Sequence, residues 1–188
     1  MKHNKLPVVL EPEEASNLLR VPNKRYPTGL RNKAILSVML NMGLRLNEVC
    51  NLKPGDVNLT KGKIKIVSGK GDKDRLLGIP EVTSQLLENW RKIKPKSDYF
   101  FCTLKGSKIS DRYIQNMVIR YKQRAGIEKK ISPHSLRHTY ATEYYRRTRD
   151  IETLRRILGH SDISTTTIYI NLANIEVENG MRQFKEFA

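Results

Sequence analysis

The chain has 188 residues, with 35 Lys and Arg against 19 Asp and Glu, a formal net charge of +16. That length suffices for one domain with a substantial core, and no apolar run approaches the ~18 residues of a membrane span. The apolar patch in MKHNKLPVVLEPEE is too short for a secretory core and runs straight into acids, so a cytoplasmic protein is expected, and the excess of positive charge points to a polyanionic partner, above all nucleic acid.

Pro12 opens a short helix predicted over Glu13 to Leu19, with acids in its first turn, where the helix dipole favours them. Thr28 is read as the cap of a second helix, from Leu30 to Met42. Ala34, Ile35, Val38 and Met39 give it helical periodicity and Gly43 ends it. A short helix over Leu46 to Leu52 stops at KPGD. The period then changes to two: Lys63, Ile64, Lys65 and Ile66 alternate as in a half-buried strand, SGKGDK is a Gly-rich turn, and Arg75 to Ile79 returns. Helix resumes from Val82 to Ile93, and Tyr99 to Phe101 reads as a short extended segment. Ser110 caps a helix to Arg124, Ser132 and Pro133 start one reaching Arg146, and Asp150 caps Ile151 to Leu158 ahead of a Gly159 stop. Ser164 caps a further helix carrying Tyr169, and an amphipathic stretch runs from Ile175 through Met181 to Phe184. The fold class expected is mainly α with a small antiparallel β-sheet (α+β). Cys50 and Cys102 lack CxxC spacing and sit among apolar residues, as buried thiols do.

The charge is uneven. Residues 104–130 hold eight basic residues against Asp111 and Glu128, whereas the tail from Asn174 onward is mildly acidic. The stretch SPHSLRH puts His134, Arg137 and His138 on one helical face. Two His at that spacing can bind zinc, but a metalloprotease helix needs Glu directly after the first His, and Ser135 stands there, so no metal site is expected. An anion fits better. Arg45 follows the helix stop at Gly43, and Lys70 sits at the hairpin tip between Gly69 and Gly71, which permit close approach. His160 follows Gly159, and Tyr169 lies nine positions later. Taken singly, each has an ordinary reading: a surface ion pair, an exposed lysine, a packed tyrosine.

Together, GLRLNEV, SGKGDKDR, SPHSLRHTYAT and LGHSDISTTTIYINL resemble the tyrosine recombinases, the phage-integrase and Xer-type family, from about Leu10 to Tyr169. The resemblance implies a tyrosine recombinase catalytic-domain fold over residues 1–172. Residues 173–188 would be a tail docking on its own domain or on a neighbouring protomer. It also implies that the helical core-binding domain usual in the family is missing, leaving an excised domain or a minimal member. In such a site Tyr169 would attack a phosphodiester of double-stranded DNA, leaving a 3′-phosphotyrosyl bond and a free 5′-hydroxyl. Because the covalent link conserves bond energy, rejoining needs no ATP. Arg45 and Arg137 would grip the nonbridging oxygens and His160 would add a hydrogen bond. Lys70 would protonate the leaving oxygen, with Lys73 and Arg75 as competitors, and His134 would assist proton transfer at Tyr169 or support the phosphate. His138 falls to packing or support, and Glu48 to orienting an active-site group. No cofactor is expected. The expected partner is DNA, with a homo-oligomer assembled on it at the nucleoid, and neither membrane nor small-molecule substrate. The competing readings are a DNA-binding module without independent catalysis and a type IB topoisomerase-like activity.

Overall fold

The computed structural model describes residues 7–67, 74–162 and 165–173. Lys70, Lys73, Ser164 and the stretch from Ile175 onward lie outside the described residues. The elements in order are α1 (Pro12–Arg20), α2 (Pro27–Met42), α3 (Leu46–Asn51), a 3-10 turn (Pro54–Asp56), β1 (Val57–Asn58), β2 (Lys63–Ile66), β3 (Arg75–Gly78), α4 (Glu81–Ile93), α5 (Asp111–Arg124), α6 (Pro133–Thr148) and α7 (Ile151–Leu158). A last helix, α8, covers residues 165–173. Among the described residues no helix is long and apolar enough to cross a membrane.

Helix α2 runs through the centre and packs against α1, α3, α4 and α6. It is buried nearly all round, so polar residues enter the core with it. Arg31 donates from Nη1 to the Cys102 carbonyl at 3.0 Å and lies over the Tyr113 ring at 4.9 Å. Asn32 donates to the Tyr121 hydroxyl at 2.9 Å. These contacts satisfy buried donors that would otherwise be costly, and they tie α2 to α5. Helix α2 starts at Pro27, behind an extended Tyr26, rather than at a Thr28 cap. The fixed φ of Pro suits a first helical turn and requires no N–H there. Gly43 ends α2 in the left-handed conformation, φ 66°, its N–H donating to the Val38 carbonyl.

The strands form one antiparallel sheet, β1-β2-β3, in which Ile64 faces Val57 on one side and Leu77 on the other. The expected alternation holds: Lys63 and Lys65 are exposed, Ile64 and Ile66 buried. The segment Tyr99–Phe101 is bent rather than extended, and only an isolated bridge, Cys102 with Lys108, follows it. Its backbone is used otherwise. Phe100 N–H donates to the Leu52 carbonyl at 2.7 Å, and the Phe100 carbonyl accepts from Trp90 Nε1 at 2.9 Å. Burial of Trp90, Phe100 and Phe101, each worth roughly 1.5–3 kcal/mol, holds the segment without a ladder. Cys50 and Cys102 are free and buried, and burial pushes the Cys50 thiol up to about 12.

Besides the main core there is a satellite one. Ala141 of α6, Leu154 and Leu158 of α7, and Tyr169 and Leu172 of α8 form a separate buried cluster, with Tyr140, Tyr144 and Ile168 packed on it. The tyrosine singled out in the sequence is thus a member of this smaller core.

Candidate active site

The site is built around the C-terminal end of α7. Asp150 caps the start of that helix, accepting from Thr153 N–H at 2.9 Å, and Gly159 ends it with φ 67°. A non-glycine residue would be strained there, and its Cβ would stand 3.0 Å from Arg75 Nη1. Helix ends leave unpaired carbonyls that carry partial negative charge. Here three successive carbonyls face three arginines from three other elements. Ile157 O accepts from Arg75 Nε at 2.6 Å, Leu158 O from Arg137 Nη2 at 2.6 Å and Gly159 O from Arg45 Nη2 at 3.4 Å. Arg137 also donates from Nη1 to Gly43 O at 2.5 Å, which binds α6 to the end of α2.

Glu48 supplies the opposite charge. It lies one turn into α3, and its Oε2 accepts the Arg45 N–H at 2.7 Å while Oε1 accepts Arg45 Nη1 at 3.1 Å. The same two oxygens take both Nη atoms of Arg75 at 2.8 Å, the bidentate fork that a guanidinium offers a carboxylate. Glu48 therefore holds Arg45 and Arg75 together by ion pairing. Burial alone would raise its carboxyl, but the hydrogen bonds and charge of Arg75, the Arg45 N–H and the charge of Arg137 outweigh this and hold it below the usual carboxylate range. Burial and the neighbouring Arg45 push Arg137 down to about 10, against the pull of Glu48, so it stays protonated at neutral pH.

His160 stands between Arg137 and α8. Its Nε2 is 3.1 Å from Arg137 Nη2 and its Nδ1 is 3.0 Å from Thr166 Oγ1. A guanidinium only donates, so Nε2 accepts and the ring proton sits on Nδ1, donated to Thr166. Thr166 is fully buried, three positions before Tyr169 and on the same helical face. Tyr169 is only 2% exposed, and its hydroxyl lies 3.0 Å from His138 Nδ1. Burial raises the Tyr169 hydroxyl above its ordinary value, although the charges of Arg137 and Arg45 work against this. His138 is lowered by burial, then by the charges of His134 and Arg137, so its imidazole is neutral at pH 7.

Of the residues marked in the sequence, Arg45, Arg137, His160 and Tyr169 come together, while Lys70 lies outside the described residues. His134 is exposed at the start of α6, and the histidine on the Tyr169 hydroxyl is His138, which the sequence reading had left to packing or support. Arg75, weighed there as a rival acid, is committed instead to Glu48 and Ile157. Thr166 was not singled out; its place one helical turn before Tyr169 was the signal available. Among the described residues no group of three or more His, Cys, Asp and Glu is placed to hold a metal ion.

The model of the phage integrase family matches residues 8–175. Tyrosine recombinase XerD of Listeria innocua serovar 6a is 32% identical over 187 residues, covering 95% of this chain and 63% of that protein. Tyrosine recombinase XerC of Xanthomonas axonopodis pv. citri is 38% identical over 170 residues, covering 89% of this chain and 55% of that protein. The chain thus spans less than two thirds of the length of these curated relatives. The crystal structure of XerA recombinase superimposes with a TM-score of 0.82 at 33% identity, over 98% of this chain and 67% of that one. XerH site-specific recombinase bound to palindromic difH substrate, a post-cleavage complex, gives 0.82 at 31% identity, over 97% and 55%. With the family model running from residue 8 to residue 175 and the same fold in these structures, the chain belongs to the phage integrase family, the tyrosine recombinases.

Proposed function

We propose that residues 1–172 form the catalytic domain of a site-specific DNA recombinase, which cuts and rejoins double-stranded DNA through a 3′-phosphotyrosyl link to Tyr169. The observation that carries this reading is the convergence of Arg45, Arg137 and His160 on the end of α7, with the Tyr169 hydroxyl held close by on α8. Catalysis of phosphoryl transfer is chiefly positioning and stabilisation of charge. Arg45 and Arg137 supply planar, permanently charged donors for nonbridging oxygens, and His160, whose Nε2 accepts from Arg137, orients that guanidinium toward the phosphate. Lys70, between β2 and β3 in the sequence, delivers the proton to the departing 5′-oxygen. His134, exposed at the start of α6, assists proton transfer at Tyr169 or supports the phosphate.

The net charge of +16 supports DNA as the partner. On this reading the protein acts at the nucleoid as a homo-oligomer assembled on DNA. If about four phosphates are neutralised, each doubling of salt weakens binding roughly tenfold. Tyr169→Phe leaves binding nearly unchanged, because it removes one hydroxyl and no charge. A gel-shift titration at two salt concentrations checks both.

The reading is tested by covalent trapping. The protein is incubated with supercoiled plasmid in EDTA at low salt, denatured in SDS, and assayed for DNA-linked protein. An adduct that disappears in Tyr169→Phe is expected. Retention of DNA in a gel shift with no adduct from the wild type would leave a binding module.

A further inference from the structure

We propose that Thr166 is a positioning residue for Arg137, acting through His160: by accepting the Nδ1 proton it fixes the tautomer whose Nε2 receives the guanidinium. The inference rests on the recombinase reading above and deepens it, since it makes the helix that carries Tyr169 a part of the phosphate grip. His160 Nδ1 is 3.0 Å from Thr166 Oγ1, and Nε2 is 3.1 Å from Arg137 Nη2. Thr166 is fully buried and stands one helical turn before Tyr169, which is buried with it. The chain Thr166–His160–Arg137 thus runs from α8 to α6 across the end of α7.

The direction of the chain follows from its donors. A guanidinium has five N–H groups and no acceptor. Among the described residues three of those in Arg137 are taken, by Gly43 O, Leu158 O and His160 Nε2, and the other two are what it offers a phosphate. An imidazole protonated on Nε2 would turn a donor on a donor at 3.1 Å and push the guanidinium away. In a neutral imidazole the partner of one ring nitrogen decides which of the two is protonated, and here that partner is the Thr166 hydroxyl. Thr166 is brought by α8, which the satellite core holds through Tyr169 and Leu172. Undocking α8 removes the acceptor, and the Arg137 contact weakens with it. By linkage, an arginine set on a phosphate favours the docked helix in return. Nucleophile and phosphate grip are thereby completed together.

The experiment has two arms, each on the full chain, for wild type, Thr166→Val and Thr166→Ser. Val keeps the branched shape and removes the acceptor. Ser keeps the hydroxyl and removes the methyl group. In the first arm, long-range proton–nitrogen NMR spectra of the histidine rings read the tautomer without DNA, with His160→Gln identifying the His160 signals. Nδ1–H is expected in the wild type and in Thr166→Ser, and Nε2–H in Thr166→Val. In the second arm, excess protein is mixed with supercoiled plasmid in EDTA at low salt, and the rate of covalent adduct formation is followed by trapping in SDS. Thr166→Val is expected to form adduct about 10–100-fold more slowly, as when the partner that orients a functional imidazole is removed, while melting close to wild type and retaining DNA in a gel shift. Thr166→Ser is expected to recover most of the rate. A Thr166 that merely packs α8 gives the opposite order, with Thr166→Val near wild type and Thr166→Ser impaired, and that order would overturn the assignment. So would an Nε2–H tautomer in the wild type, or an Nδ1–H tautomer that survives in Thr166→Val. The expected tautomers without any Tyr169-dependent adduct from the wild type would instead overturn the recombinase reading, and with it the role assigned to the Arg137 contact.

Discussion

At Glu48 a buried carboxylate holds two arginines, with both oxygens occupied by donors from Arg45 and Arg75. Replacing it by Ala leaves buried guanidinium charge uncompensated, and a loss of about 3–5 kcal/mol is expected by denaturant unfolding. Its titration has a definite direction. The folded-state pKa lies below the ordinary value of 4.5, so the stabilisation is complete above that value and is lost as pH falls through the lower one. Melting temperature measured from pH 3 to pH 7 is therefore expected to drop below about pH 4.5, and Glu48→Gln is expected to flatten that drop. The Arg45 half of this cluster was legible in the sequence, because a residue three positions on shares its helical face. The Arg75 half was not. Arg75 and Glu48 are 27 positions apart, on β3 and α3, and only the tertiary fold brings them together. The same holds for His138 and Tyr169, 31 positions apart. Periodicity put His138 beside Arg137 but could not say what it would touch.

Among the elements, those bounded by strong local chemistry were read nearly to the residue. Ser110 caps α5 by accepting from Tyr113 N–H, Asp150 caps α7, and Gly43 and Gly159 stop α2 and α7. Strand β1, two residues long, carries too little alternation to announce itself, and the bend at Tyr99–Phe101 follows from where two phenyl rings go rather than from a backbone pattern. The Gly159 stop gives a prediction at this scale. Gly159→Ala and Gly62→Ala both place a side chain at positive φ, 67° and 59°, at a cost of about 1–2 kcal/mol each. Around Gly62 the space is open, whereas at Gly159 the new Cβ meets Arg75. Similar falls in melting temperature are expected for the two variants, with a loss of covalent adduct only for Gly159→Ala, because only there do Arg75, the neighbouring carbonyls and His160 have to shift.

At the scale of the whole molecule, the division into a main and a satellite core separates the bulk of folding from the placement of Tyr169. Leu154 belongs to the smaller cluster with Tyr169. Leu154→Ala, costing about 2–5 kcal/mol of packing, is expected to speed amide hydrogen exchange in α8 and α7 while leaving α2 protected, since regions with fewer buried contacts open first. Uniformly faster exchange would mean that the two clusters unfold as one. The sequence showed an apolar setting for Tyr169 but not that the setting is detached from the main core. That separation comes from how α6, α7 and α8 meet, a long-range outcome that no window of sequence contains.

The three carbonyls at the end of α7 have one further consequence. Like charges do not gather unaided, yet Arg45, Arg75 and Arg137 already stand together, with backbone dipoles and one carboxylate holding them against mutual repulsion. The work of assembling that cationic cradle is done while the chain folds. An anion arriving later meets donors already oriented, so little solvent or side-chain reorganisation is left for the moment of reaction.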